Sequence, residues 1–269
     1  VRVHLTDFSL PPDTELYIYN DNNEAFGPYT GKGPNEDGDF WTNTVFGPFA
    51  YLQLRHYGRP TAADLQSVRF RISDVAHMGP NFIVAVLGGA QQPTLNDFCS
   101  FNADCVENMV CSGYTWSAAN TVKYGIAHML FVSGAYYYIC SGGLLNDTDP
   151  SSQIPYFLTA NHCISRSGEA SSLECYWQFW TDNCTTSCYE PYGGVKPRTL
   201  GATIMSTNKT GDYTLLKLSQ DPPAGSTFLG WSTAAVANTN GVALYRLSHP
   251  QGAPMASTVR PSGAWTRRR

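Results

Sequence analysis

All eight cysteines of this 269-residue chain lie between Cys99 and Cys188. An even number confined to one stretch reads as a disulfide framework made outside the reducing cytosol, in an extracellular or periplasmic setting. Zinc is the competing reading. Cys184 and Cys188 have ligand-like spacing, and His162 with Cys163 could complete a set. The other cysteines are scattered rather than grouped in close pairs, which favours bridges over metal, and neither a metal nor a cofactor is expected.

The rest of the composition agrees with a β-rich extracellular protein. Charged residues are only 14% of the chain, against about 25% in ordinary soluble domains. Gly, Tyr, Thr, Asn and Ser take their place. A net charge of -4 gives no reason to expect nucleic acid or an anionic membrane as partner. The longest apolar run, Phe82 to Leu87, has the length of a strand and falls far short of the ~20 residues of a membrane span. With no initiator Met and no signal-like start, the chain is expected to be a processed or excised piece. Nothing in the sequence speaks to an oligomeric state.

Two units are expected. Residues 1–95 carry six basic and ten acidic residues, whereas residues 96–269 carry eleven of each. Gly88-Gly-Ala-Gln-Gln-Pro-Thr-Leu-Asn96 has linker composition, and a boundary is expected between Gly88 and Asp97. Before it, Glu15–Tyr19, Phe49–Arg55 and Val68–Ile72 read as strands, the last two alternating as half-buried strands do, and Phe82–Leu87 reads as a buried one. No helical period is sustained, so a small β-sandwich is expected for residues 1–95. Tyr29, Phe40, Trp41 and Tyr51 could form a sugar-binding platform, but core and turn packing is the commoner use of such aromatics. After the linker, Ala135–Cys140, Tyr156–Ala160, an alternating Cys175–Trp180, Asp212–Leu218 and Val242–Leu247 read as strands of an all-β barrel or sandwich.

Three motifs carry chemistry. Leu158-Thr-Ala-Asn-His162-Cys163 puts a histidine directly after a strand and ties it to a neighbouring cysteine, which is the rigidity a general base needs. Gly211-Asp212-Tyr-Thr-Leu-Leu-Lys-Leu218 brings an acid into an apolar strand, where a partly shielded carboxylate needs a donor such as an imidazole N–H. Cys140-Ser-Gly-Gly-Leu-Leu145 supplies a cysteine upstream that could pair with Cys163. The remaining histidines, His4, His56, His77, His128 and His249, lack partner motifs and read as structural or surface residues.

Together these motifs resemble those of the trypsin-like (chymotrypsin-fold) serine endopeptidases, in order and in spacing. The subgroup they are most similar to is the bacterial lysyl-endopeptidase-like enzymes. Cys99-Ser-Phe-Asn-Ala-Asp-Cys105, the Tyr176-Trp…Cys184 spacing and Ser248-His-Pro-Gln-Gly252 also look like theirs. The resemblance spans about residues 99–265. It implies a β-sandwich-like pro or accessory domain over 1–95 and a chymotrypsin-like double β-barrel over 96–269, incomplete at its C-terminus. It implies hydrolysis of a peptide or protein substrate, possibly after Lys, by a secreted and zymogen-like enzyme, with His162 as base and Asp212 as its partner acid. The family order then calls for a Ser about ninety residues after the Asp. Only 57 residues follow Asp212, and no Gly-x-Ser-Gly occurs among them. Ser262 is too close to Asp212 and lacks the preceding Gly. The nucleophile and specificity pocket are therefore expected beyond Arg269, and the chain as given is expected to be inactive. A catalytically inactive secreted binding protein on the same scaffold is the alternative.

The bridges expected are Cys140–Cys163, because the strands bearing them should be neighbours, and Cys105–Cys184, from the resemblance. Cys175–Cys188 is a further expectation without a family basis, and Cys99 is expected to find no partner among these residues. His162 and Asp212 should meet within hydrogen-bonding distance, with the carboxylate partly shielded from water.

Overall fold

A computed structural model describes residues 1–22, 24–77, 106–113, 116–149, 151–184, 196–234 and 241–261. The linker at 88–97, the apolar run at 82–87, Cys99, Cys105, Cys188 and Ser262 lie outside the described residues.

Among the described residues the first unit has six strands: β1 (Arg2–Ser9), β2 (Thr14–Tyr19), β3 (Ala25–Tyr29), β4 (Phe40–Trp41), β5 (Tyr51–His56) and β6 (Arg69–Ala76). They form two antiparallel three-stranded sheets, ordered β4-β1-β6 and β3-β2-β5. The central strands β1 and β2 send Val3, Leu5, Leu16 and Ile18 into one shared core with Phe8, Tyr29, Phe40 and Val45. The outer strands differ from the half-buried pattern expected of them. β6 is exposed along almost its whole length and β5 along most of it, because each is an edge strand and the core is filled from the centre of each sheet. The aromatic platform does not form. Tyr29 and Phe40 are core residues, Trp41 stacks on His4, and Tyr51 stacks on Tyr19. A short helix, α1 (Ala62–Ser67), starts at a Thr61–Asp64 capping box that periodicity alone passes over.

Among the described residues the second unit opens with β7 (Glu107–Asn108) and the helical turns α2 (Met109–Ser112) and α3 (Ala119–Val122). Strands β8 (Ile126–Ser133), β9 (Tyr136–Leu145) and β10 (Tyr156–Thr159) follow, then helix α4 (Ser167–Ser171). Next come β11 (Glu174–Trp177), β12 (Arg198–Leu200), β13 (Ala202–Asn208) and β14 (Tyr213–Leu218). All seven of these strands join one antiparallel sheet in the order β12-β11-β8-β9-β10-β14-β13. Its two ends, β12 and β13, are separated in sequence only by Gly201, so one bent strand curls the sheet back on itself. At the bend the Gly201 N–H donates to Leu173 O and its carbonyl accepts from Ser219 N–H, one bond to each side of the seam. Gly201 has φ +74°, which a β-carbon disfavours. Met129, Phe131, Leu144, Phe157, Trp177 and Leu216 fill the interior. A further antiparallel sheet, β15-β16-β7, is made by the hairpin β15 (Ala243–Ser248) and β16 (Ala256–Pro261) with β7. The architecture is all-β: a small sandwich followed by a chymotrypsin-like barrel.

Strand β11 corrects the alternation expected for Cys175–Trp180. All four of its residues are buried, because its outer face is covered too. Phe46 of the first unit packs there with Leu130, Tyr176 and Phe179. Beside them Glu174, fully buried, accepts from Thr44 N–H, Thr44 Oγ1 (2.6 Å) and Asn43 Nδ2 (3.1 Å). It pairs with Arg198 (3.4 Å) and Arg2 (3.6 Å), the latter as fully enclosed and the former nearly so. The Arg2 guanidinium also donates to Ser172 O of the second unit and Thr42 O of the first.

The cysteine framework differs from expectation in two places. Cys140–Cys163 forms, with Cα atoms 6.3 Å apart. Cys184 pairs with Cys111 rather than Cys105, because α2 brings Cys111 to it at a Cα distance of 4.7 Å. Cys175 is free and buried inside the barrel, so it makes no bridge to Cys188. Its side chain lies among apolar neighbours, and burial pushes its thiol far up.

Candidate catalytic site

The antiparallel ladder between β10 and β14 explains how residues 50 positions apart converge. Its last registered pair is Thr159 with Thr214. Going forward from Thr159 leads to His162, and going backward from Thr214 leads to Asp212, so both sit at the same end of the ladder. After β10 the chain makes one turn, with Cys163 and Ile164 N–H groups donating to Ala160 O. This turn points His162 outward and Cys163 inward, where the bridge to Cys140 on β9 pins it. Before β14, the Asn208 side chain accepts from Gly211 N–H, and Asp212 adopts a left-handed conformation, φ +50°. Aspartate is among the few side chains that tolerate it.

The carboxylate grips His162 twice. Oδ2 lies 2.7 Å from Nδ1, and Oδ1 accepts the His162 backbone N–H at 2.9 Å. The His162 backbone bond, followed by the ring bond, holds the Asp212 carboxyl below its ordinary range. An ionised carboxylate can only accept, so Nδ1 carries the proton and Nε2 keeps a bare lone pair. The imidazole is 71% exposed and the Asp212 side chain 52%. The expected shielding of Asp212 is therefore absent here. The carboxylate lies in the turn ahead of β14 rather than in its buried core, and the donors of His162 satisfy it at the surface.

A polar ladder fixes the two turns to each other. Asn161 Nδ2 donates to Thr207 Oγ1 (2.8 Å), Thr207 pairs with Thr214 (2.6 Å), and Thr214 Oγ1 donates to Ile164 O (2.6 Å). Sequence reasoning singled out neither threonine. Their only signal is a threonine flanking each side of the acid-bearing turn. A second support missed in the sequence is Ser141. Its carbonyl accepts from Thr159 Oγ1, and its hydroxyl accepts from His249 N–H.

Three of the histidines set aside in the sequence can be placed. His128 and His249 are buried and meet edge to face, 5.5 Å between centroids. His4 lies between Asp39 and Asp74. The zinc set of Cys184 and Cys188 with His162 and Cys163 is ruled out as the chain stands, because Cys163 and Cys184 are each committed to a bridge.

Comparisons with known proteins point the same way. The family profile of lysyl endopeptidase, C-terminal domain, matches residues 100–264. A lysyl endopeptidase of Pseudomonas aeruginosa is 27% identical over 94% of this chain and 52% of its own length. Secreted RxLR effector protein 73 of Plasmopara viticola is 24% identical over 81% of this chain and 52% of its own. The chain thus spans about half the length of these curated relatives. A solved structure of a scabies mite inactivated protease paralogue aligns over 52% of this chain and 60% of its own, at 16% identity and a TM-score of 0.36. So low a score carries no argument.

Proposed function

Because the chain belongs to the lysyl endopeptidase C-terminal domain family, we propose that it carries the acid–base half of a secreted serine endopeptidase. The observation that supports this best is the pair of Asp212 bonds to His162, at 2.7 and 2.9 Å. They hold the tautomer and orientation a general base requires. A serine hydroxyl from outside residues 1–269 would lose its proton to His162 Nε2 as its oxygen attacks the peptide carbonyl. The imidazolium so formed, stabilised by Asp212, would return that proton to the leaving amine as the C–N bond breaks. Water then repeats the cycle on the acyl-enzyme. Protein substrates cut after Lys are the proposed targets, in line with the lysyl endopeptidase relative. The two bridges among the described residues fit an oxidising compartment. Residues 1–95 are proposed to act as an accessory unit on the barrel's outer wall.

A second reading has its own support. It is a non-catalytic secreted protein on the same scaffold, and a relative described as a secreted effector keeps it in view. One experiment separates the two. The protein extended to the full span of its relatives is incubated with a denatured protein, and the cuts are mapped by mass spectrometry alongside labelling with a serine-directed fluorophosphonate. Cuts after Lys with a labelled serine are expected, and residues 1–269 alone should neither cut nor label. An extended protein that does neither supports the non-catalytic reading.

A further inference from the structure

Three Asn-X-Ser/Thr triplets occur in the sequence: Asn146-Asp-Thr148, Asn183-Cys-Thr185 and Asn208-Lys-Thr210. Such a triplet is the acceptor pattern for an N-linked glycan, and it is used where the asparagine stays at the surface. The fold treats the three differently. Asn183 precedes Cys184, which is bridged to Cys111. Asn146 precedes Asp147, whose carboxylate is tied to the Ser152 hydroxyl and the Ile154 N–H. Asn208, Lys209 and Thr210 are all exposed, at the end of β13 and in the turn that leads to β14.

The Asn208 amide is already sorted into its two ends. One end accepts from the Gly211 N–H at 2.7 Å. Only an oxygen can take that bond, so the other end is Nδ2. Among the described residues Nδ2 donates no hydrogen bond. A group attached at Nδ2 therefore leaves the bond from Gly211, and the left-handed Asp212 after it, in place.

We propose that Asn208 is an N-glycosylation site. The donor is an oligosaccharide carried on a lipid diphosphate. Its anomeric carbon leaves the phosphate oxygen and bonds to Nδ2, and one amide proton departs to the released lipid diphosphate. Lys209 puts a cation beside that anionic donor, whereas at Asn146 the neighbouring Asp147 puts an anion there. Asn208 meets such a donor only in an exported chain, so its modification rests on the secreted reading proposed above. The glycan is rooted beside His162 and Asp212. Asn208 pairs with Tyr213 across the ladder, which holds its Cα within about 9 Å of that of Asp212. Thr207, next to Asn208, is bound by Asn161. A bulky sugar there screens the His162 imidazole from folded proteins on this side and leaves short peptides free to enter.

The test sends the full chain through a eukaryotic secretory pathway. Medium and microsomes are both treated with peptide-N-glycosidase in heavy-oxygen water, which turns a glycan-bearing asparagine into a labelled aspartate. Peptide mapping should place the label at position 208 in the parent and in Thr210→Ser, and not in Thr210→Ala, which keeps Asn208 and its turn. Reading the microsomes scores a chain that fails to leave the cell, so a failure of export and a failure of glycosylation are told apart. In the extended protein, trimming the glycan to its first sugar should speed the cutting of a folded protein at least about twofold and leave a short lysyl amide unchanged. An unlabelled Asn208 in both fractions, label confined to Asn146 or Asn183, label kept in Thr210→Ala, or a folded protein cut no faster after trimming would each overturn the proposal.

Discussion

Asp212 does two things with one carboxylate, and the two can be separated by substitution. Asp212→Asn keeps the size and one acceptor but puts an amide where Oδ2 meets Nδ1. The ring is then held in the wrong tautomer or released. On the proposed function, this should lower kcat of the extended protein by about 10⁴ with the fold intact, the scale seen when a triad acid is so replaced. At this scale the site was half legible. The identities of His162 and Asp212 follow from their local motifs. The exposure of Asp212 does not, because a strand motif cannot say that the acid stands in the turn ahead of the strand. Cys111 was equally hidden: its pairing with Cys184 depends on where α2 lies, which no spacing records.

At the scale of elements, the barrel depends on its seam and its staples. At Gly201 a β-carbon would collide with the Asn35 side chain and come within 2.9 Å of Ser219 Oγ, in a conformation already unfavourable for it. Gly201→Ala should therefore cost more than about 1 kcal/mol, read as a lower urea midpoint at unchanged slope. An unchanged midpoint would mean that the seam is not closed as described. Removing the Cys140–Cys163 bridge with a Ser pair should cost about 3 kcal/mol, given its separation of 23 residues, read as a drop in Tm. Most strands were legible because their apolar residues repeat every second position. β5, β6 and β11 were misjudged for one reason: alternation reports a single sheet, whereas burial depends on what lies against each face and each edge.

The whole molecule is joined by charges enclosed between its two units. Burial alone would raise the Glu174 carboxyl, but Arg2, Arg198 and the bonds from Thr44 outweigh it and hold it below its ordinary value. Its contribution is thus present above the usual carboxylate range and is lost as pH falls through the depressed value. Glu174→Ala leaves the Arg2 guanidinium buried without its carboxylate and Arg198 with Glu24 alone, and should cost about 3–5 kcal/mol in urea unfolding. Burial also pulls His128 down to about 3, and His249 is lowered as well, first by burial and then by His128. In the unfolded chain a histidine titrates near 6.5. Between about 6.5 and 3 the unfolded state binds protons the folded state refuses, so each unit by which pH is lowered removes roughly 1.4 kcal/mol of stability from His128 alone. Urea unfolding across this range should show that slope, and His128→Phe should flatten it. The joining of the units was illegible in the sequence, since Arg2, Glu174 and Arg198 are far apart in it and resemble ordinary surface charges.

The central claim is that the ladder between β10 and β14 exists to present His162 as a base. The most direct measurement is kcat/KM for a lysyl amide in the extended protein, compared with its His162→Ala variant at matched stability. The account predicts a loss of at least about 10⁴, leaving only what binding and oxyanion stabilisation supply. A His162→Ala protein that cleaves the amide as fast as its parent would contradict it.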